Sequence, residues 1–314
     1  IASEYNKISF GPYDWDLTQL TFIVMVLNGI FYALQKYGTD QTIVQRYLAA
    51  KNDKEAKKAA YIGVLMSVPI WALFMFIGTA LFAYYHAQGA PLLPEGIKAD
   101  EVFPYFIAHE LPVGIRGLII AALAAAAISS LDSDLNCLSA IAVQDYYKRF
   151  KKDATDQQQL RFGKWMVVAS GIGAIGVACL YIFWGGEGIL GALFSLYAIF
   201  SAGIVGIFVL GLFSRKANKQ GLYIGIAAAV LYTAYAVLTS TKVDIDGEGV
   251  KQTLLDLGDW NFTHHKYMLG VYSHLIVLVV GYVASYFFKT PLADKELTIW
   301  GYLENKKKEE SSAC

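Results

Sequence analysis

The chain has 314 residues, 56% of them hydrophobic and 17% charged, and its 26 basic and 26 acidic residues leave a net charge of zero. The charges cluster between apolar runs that reach the roughly 18 to 20 residues a bilayer-spanning helix needs, which excludes a soluble domain built on one large core. Zero net charge gives no electrostatic argument for a nucleic-acid partner. Cys137, Cys179 and Cys314 form no disulfide framework, and no nucleophile–base set, phosphate loop or metal-ligand cluster stands out, so the chain is not expected to be an enzyme. It begins with Ile1, not Met, and shows no signal peptide, so it reads as a segment of something longer.

Seven spans are predicted, at residues 17–37, 59–85, 113–131, 160–184, 189–213, 221–239 and 267–288. The first contains Asn28-Gly29 near its middle. A glycine there permits unusual backbone angles and an unwound point that frees carbonyls for a ligand, or it permits close packing against a neighbouring helix. The loop that follows is basic, with Arg46, Lys51, Lys54, Lys57 and Lys58. Pro69 in the second span implies a kink. Residues 86–112 hold Pro91, Pro94, Pro104 and Pro112 and cannot form one helix; an external loop with a short helix near 100–109 is expected.

The third span runs into the most informative stretch of the chain, A-A-L-A-A-A-A-I-S-S-L-D-S-D-L-N from Ala121 to Asn136. Ala126, Ser129, Ser130 and Ser133 recur at i, i+3, i+4 and i+7 and share a helical face. Carbonyl, hydroxyl and carboxylate oxygens are hard ligands that suit Na⁺ better than a transition metal. Small serines at this spacing equally suit close packing of two helices. Residues 135–150 read as a separate amphipathic helix on the inner membrane face, with Leu138, Ile141 and Val143 followed by Asp145, Lys148 and Arg149.

Ser195, Tyr197 and Ser201 in the fifth span either line a pathway or pack in the bundle. His274, in the middle of the last span, reads as an interhelical hydrogen-bond partner or a proton relay. Basic residues also follow the third span (Lys148, Arg149, Lys151, Lys152) and the fifth (Arg215, Lys216, Lys219) and fill the tail, whereas residues 240–265 are acidic. Positive-inside logic puts the N-terminus of this segment outside and the C-terminus in the cytoplasm, in a multi-pass plasma-membrane protein, with a bacterial inner membrane the first expectation.

Three motifs occur in order: Y-G-T-D-Q-T-I-V-Q-R-Y-L-A-A-K-N from Tyr37, the serine-rich run just described, and V-L-G-L-F-S-R-K-A-N-K-Q-G from Val209. Together they resemble the sodium:solute symporter family. The segments G-T-A-L-F-A-Y-Y, L-L-P-E-G and L-P-V-G-I-R-G-L-I-I-A-A resemble its bacterial sialic acid branch most closely. The resemblance implies an all-α membrane protein with a leucine-transporter-like fold, of which this chain holds the second inverted repeat plus two C-terminal helices. Residues 1–16 would be an external segment, 17–213 core helices six to ten, 214–288 the additional helices and 289–314 a cytoplasmic tail. The first repeat, from the same protein or a second chain, would be a required partner together with the lipid bilayer.

Carried over residue by residue, the family's common sodium site maps to the Ala126 carbonyl and the Ser129 and Ser130 hydroxyls, and a further cation site to Ser129, Asp132 and Ser133. Asp132 stands where a serine is expected. It would strengthen cation binding, admit a proton, or face cytoplasmic water, since it lies about 28 Å along a straight helix from Val113 in a core roughly 30 Å thick. The substrate-facing positions implied are Asn28, Tyr32, Gln35, Ser67 and Phe194. Ser67, Phe194 and Ala33 replace the lysine, glutamine and asparagine of the sugar-transporting members. These departures point to Na⁺-coupled symport of a small organic anion, such as a sialic acid or another carboxylate. Symport of a neutral sugar or polyol, and a non-transporting seven-helix receptor or sensor, are the alternatives.

Overall fold

The computed structural model describes residues 3–5, 11–87, 93–184, 203–240, 242–244, 251–288 and 294–312. They are helical apart from one short hairpin and connecting turns, and fall into two compact units, Ile1–Ile8 with Gln41–Gly188, and Ser9–Asp40 with Ile189–Cys314. Among the described residues five helices are long and apolar enough to cross a membrane.

In the first unit, α2 (Gln41–Leu48) leads to α3 (Asp53–Tyr85). Asn52 caps α3 by accepting the Glu55 N–H at 2.9 Å, and Asp53 and Glu55 complement the positive end of the helix dipole. Pro69 sits within this unbroken helix. The short helix expected between the second and third spans is present as α4 (Ala99–His109); the Tyr84 ring meets Phe106 edge-on, and its hydroxyl donates to Glu110 at 2.9 Å.

Pro112 precedes α5 (Val113–Ile141), which does not stop where the sequence reading ended the third span. It continues through a π-helical turn at Ala142–Tyr147 and ends at Phe150, so residues 135–150 prolong the spanning helix and are not a separate surface helix. Nothing between Asn136 and Phe150 breaks a helix: the stretch has neither proline nor glycine. α6 (Asp156–Trp184) packs against the C-terminal end of this helix. Ser139 Oγ donates to the Gly163 carbonyl at 2.9 Å, and Tyr147 stacks on Phe162 with ring centroids 4.4 Å apart.

In the second unit, α1 (Phe22–Gly38), α7 (Ile204–Phe213) and α8 (Lys219–Ser240) pack on a central α9 (Met268–Ser285). Thr21 caps α1 by accepting the Val24 N–H, and Val24 packs with Met268 and Val271. α1 passes through Asn28-Gly29 without unwinding, and no atom lies within 4 Å of where a Gly29 Cβ would stand. The close approaches lie elsewhere. A Cβ on Gly225 would come within 2.9 Å of the Gly281 Cα, and one on Gly206 within 2.5 Å of the His274 carbonyl oxygen. Lipid is as apolar as leucine, so such backbone contact replaces the hydrophobic effect as the packing force in a membrane.

Residues 189–202 of the fifth span lie outside the described residues, and α7 is its described end. After α8 an antiparallel hairpin pairs β1 (Lys242–Asp244) with β2 (Lys251–Thr253). The tail carries α10 (Ile299–Ser312), where no helix was expected; Trp300 Nε1 donates to the Phe213 carbonyl at 3.1 Å.

Candidate functional site

The serine-rich run is helical throughout, so its spacing becomes geometry. Ser129 Oγ donates to the Ala126 carbonyl at 2.9 Å and Ser130 Oγ donates to the same oxygen at 3.2 Å. Ser133 Oγ donates to the Ser129 carbonyl at 3.2 Å. Each hydroxyl spends its one proton on its own helix and keeps oxygen lone pairs free to meet a cation. Ala126, Ser129 and Ser130 thus form one tight group of three oxygens, with Ser133 one turn on.

Asp132 is not part of that group. Its Oδ1 accepts from Asn136 Nδ2 at 3.1 Å, and the same amide donates to the Asp132 carbonyl at 2.9 Å. The sequence reading passed over Asn136, although its spacing of four from Asp132 is the signal for such a pair on a helix.

The most apolar window of α5 is 0% buried, against 44% for α9. Ile128 and Leu131, which flank the serines, are 67% and 49% exposed. An apolar helix that exposes an oxygen-rich patch and packs on α6 only beyond it, near Ser139 and Tyr147, suits a surface that meets other protein or lipid. A cation bound at these oxygens would need further ligands from outside α5.

Of the positions expected to face a substrate, Asn28, Tyr32 and Gln35 lie on α1 at i, i+4 and i+7, on one face. Asn28 and Gln35 are half-buried and Tyr32 is exposed. The Gln35 carbonyl accepts the Thr39 hydroxyl at 2.8 Å and so ends the helix. Ser67 belongs to the other unit; its hydroxyl donates to the Val64 carbonyl at 2.6 Å. Phe194 lies outside the described residues, as do Ser195, Tyr197 and Ser201. His274 is 2% exposed and stacks on Phe31 at 5.5 Å; its ring bonds the Gly203 backbone, while Nδ1 has no partner.

Outside the spans, Asp16 accepts from the Thr18 hydroxyl at 2.6 Å and from its N–H at 2.8 Å, and these bonds hold its carboxyl below the usual carboxylate range. His265 has its pKa lowered by burial and by neighbouring Lys266.

Comparison with known proteins bears on this arrangement. The sequence model of the sodium:solute symporter family matches residues 9–228. The sodium/sialic acid symporter NanT of Aliivibrio fischeri is 32% identical over 286 residues, covering 91% of this chain and 52% of that protein. The sodium/sialic acid symporter SiaT of Proteus mirabilis is 33% identical over 219 residues, covering 69% of this chain and 44% of that protein. A solved structure of a Na⁺-coupled sialic acid symporter, in a substrate-bound outward-open state with a novel Na⁺ site, aligns with a TM-score of 0.70 at 28% identity. It covers 89% of this chain and 52% of its own. The chain spans about half the length of the curated relatives it matches.

Proposed function

Because the chain belongs to the sodium:solute symporter family, a family of transporters and not of enzymes, we propose that it forms the second inverted repeat and following helices of a Na⁺-coupled symporter. In this reading residues 17–213 supply core helices six to ten, 214–288 the additional helices, and 1–16 and 289–314 the external and cytoplasmic ends. The observation that carries it is the pairing of the Ser129 and Ser130 hydroxyls on the Ala126 carbonyl, on an exposed face of an otherwise apolar helix. Those three oxygens form half of a sodium shell. The other half comes from the first repeat, which the matched relatives have room for in the length this chain does not span.

Sodium binding here favours the outward-facing state, and the solute then closes it. Each Na⁺ that moves inward across 100 mV releases about 2.3 kcal/mol before any concentration gradient is counted. Ser129, Asp132 and Ser133 hold a second cation. Asn28, Tyr32, Gln35, Ser67 and Phe194 face the solute, which is a sialic acid or a similar carboxylate. The two sialic acid relatives and the missing sugar-type residues at Ser67, Phe194 and Ala33 support this substrate class over a neutral sugar. The alternation of basic and acidic loops supports an external N-terminus for this segment and a cytoplasmic tail.

Thermal unfolding of the complete transporter in detergent tests the coupling. A ligand at a hundred times its Kd stabilises by about 2.7 kcal/mol. Sialic acid should raise the Tm in Na⁺ buffer and have little effect when K⁺ replaces Na⁺. An equal shift in both buffers would remove sodium from the binding step.

A further inference from the structure

Two grooves flank one ridge of α9. The first, about 570 Å³, lies between α7 and α9 and ends at Ser214, Arg215 and Lys216. The second, about 500 Å³, lies on the α8 side and is lined wholly by apolar residues, among them Ile224, Phe287 and Phe288. Val279 and Val283 line both, and they are 57% and 52% exposed. Each groove has the size of a small-molecule site, which runs from about 300 to 1,000 Å³.

The mouth of the first groove is polar and held in place. Ser214 Oγ accepts the Lys216 and Ala217 N–H groups, both at 3.2 Å. Asn218 Nδ2 donates to the Ser285 carbonyl at 2.8 Å, which ties the turn to α9. Lys216 Nζ stands 4.5 Å above the Tyr286 ring, and the Tyr282 and Tyr286 hydroxyls share a 2.6 Å hydrogen bond. Positive-inside bias accounts for basic residues in this loop. It does not account for an ammonium seated over an aromatic ring beside two hydrogen-bonded phenols, with a guanidinium alongside, at the end of an apolar groove.

We propose that this surface binds one anionic diacyl phospholipid, with an acyl chain on each side of the Val279–Val283 ridge and its phosphate at Arg215 and Lys216. The occupant follows from chemistry: two adjoining apolar channels match two chains, and a basic, hydroxyl-bearing mouth matches a charged headgroup. The inference rests on the membrane placement of the proposed function but on neither its sodium site nor its substrate.

Trp300 reports on the groove, because its indole is bonded to the Phe213 carbonyl and meets the Phe213 ring edge-on at 6.4 Å. The complete transporter is reconstituted in phosphatidylcholine with rising fractions of brominated phosphatidylglycerol or brominated phosphatidylcholine. The Trp300 signal is isolated by subtracting a Trp300→Phe variant. A basic residue near the membrane surface favours anionic lipid by about fivefold, so the pair predicts a preference of about twenty-five-fold. Arg215→Gln/Lys216→Gln should bring the ratio close to one, with Lys216→Gln alone as the milder variant. Val279→Phe, which fills the ridge without adding a second indole, should weaken quenching by both lipids, and Lys306→Gln/Lys308→Gln in the tail should leave the ratio unchanged. A wild-type ratio of one, or a preference that follows the tail lysines, would overturn the proposal. So would abolition of the preference by millimolar inorganic phosphate, which would make the mouth a free-anion site.

Discussion

Ser130→Ala and Ser129→Ala each remove one oxygen from the three-oxygen group without disturbing the fold. Both positions are exposed, and the hydroxyls bond only to their own helix, at 2.9 and 3.2 Å. Alanine is the better helix former, so stability should hold or rise by a few tenths of a kcal/mol. A polar contact to a charged partner contributes about 1.5 to 3 kcal/mol. If Na⁺ takes each hydroxyl as a ligand, losing one should raise the Na⁺ concentration for half-maximal uptake by about ten- to a hundredfold. The assay is Na⁺-dependent solute uptake by the complete transporter in proteoliposomes, with expression and Tm as controls. Ser139→Ala supplies the contrast. Its hydroxyl reaches another helix at the Gly163 carbonyl, so it should lower Tm and leave Na⁺ dependence alone. An unchanged Na⁺ requirement in both single variants and in the double variant would refute the assignment.

Three further outcomes are expected. Asp132→Asn should reduce the charge moved per solute if the carboxylate helps hold a second cation; an identical ratio would leave Asp132 as the partner of Asn136 only. Gly225→Ala should lower the Tm in detergent, because its Cβ would press on the Gly281 Cα and overpacking costs about 1 to 3 kcal/mol, whereas Gly211→Ala, with no atom within 4 Å, should be silent. Cysteines placed at Asp256 and Lys216 should label from opposite sides of the membrane, and labelling from the same side would sink the proposed orientation.

The composition and charge pattern made the membrane class legible, and the short helix expected near residues 100–109 is present, with Pro104 inside it. The serine face was legible too, because polar residues at helical spacing stand out in an apolar run. What failed was the end of α5. Polarity at Asp145 and Lys148 suggested a new element, but only backbone chemistry stops a helix, and no breaker is present there. The glycines were misweighed in a similar way. Asn28-Gly29 drew attention by its place in a span, yet Gly29 is open, while Gly221 and Gly225, spaced by four, carry the tight crossing onto Gly281 and Ser285. That spacing was readable as a small-residue packing motif. The ligands that would complete the proposed cation shell were not readable, because α5 does not itself contain them.

Sodium coupling is tested most directly by uptake of labelled sialic acid into proteoliposomes of the complete transporter under an inward Na⁺ gradient. Accumulation above the external concentration should occur with Na⁺ outside, collapse when K⁺ replaces it, and be lost at low Na⁺ in the Ser129→Ala/Ser130→Ala variant. Uptake that proceeds equally with and without a Na⁺ gradient would contradict sodium-coupled symport through the Ala126, Ser129 and Ser130 oxygens.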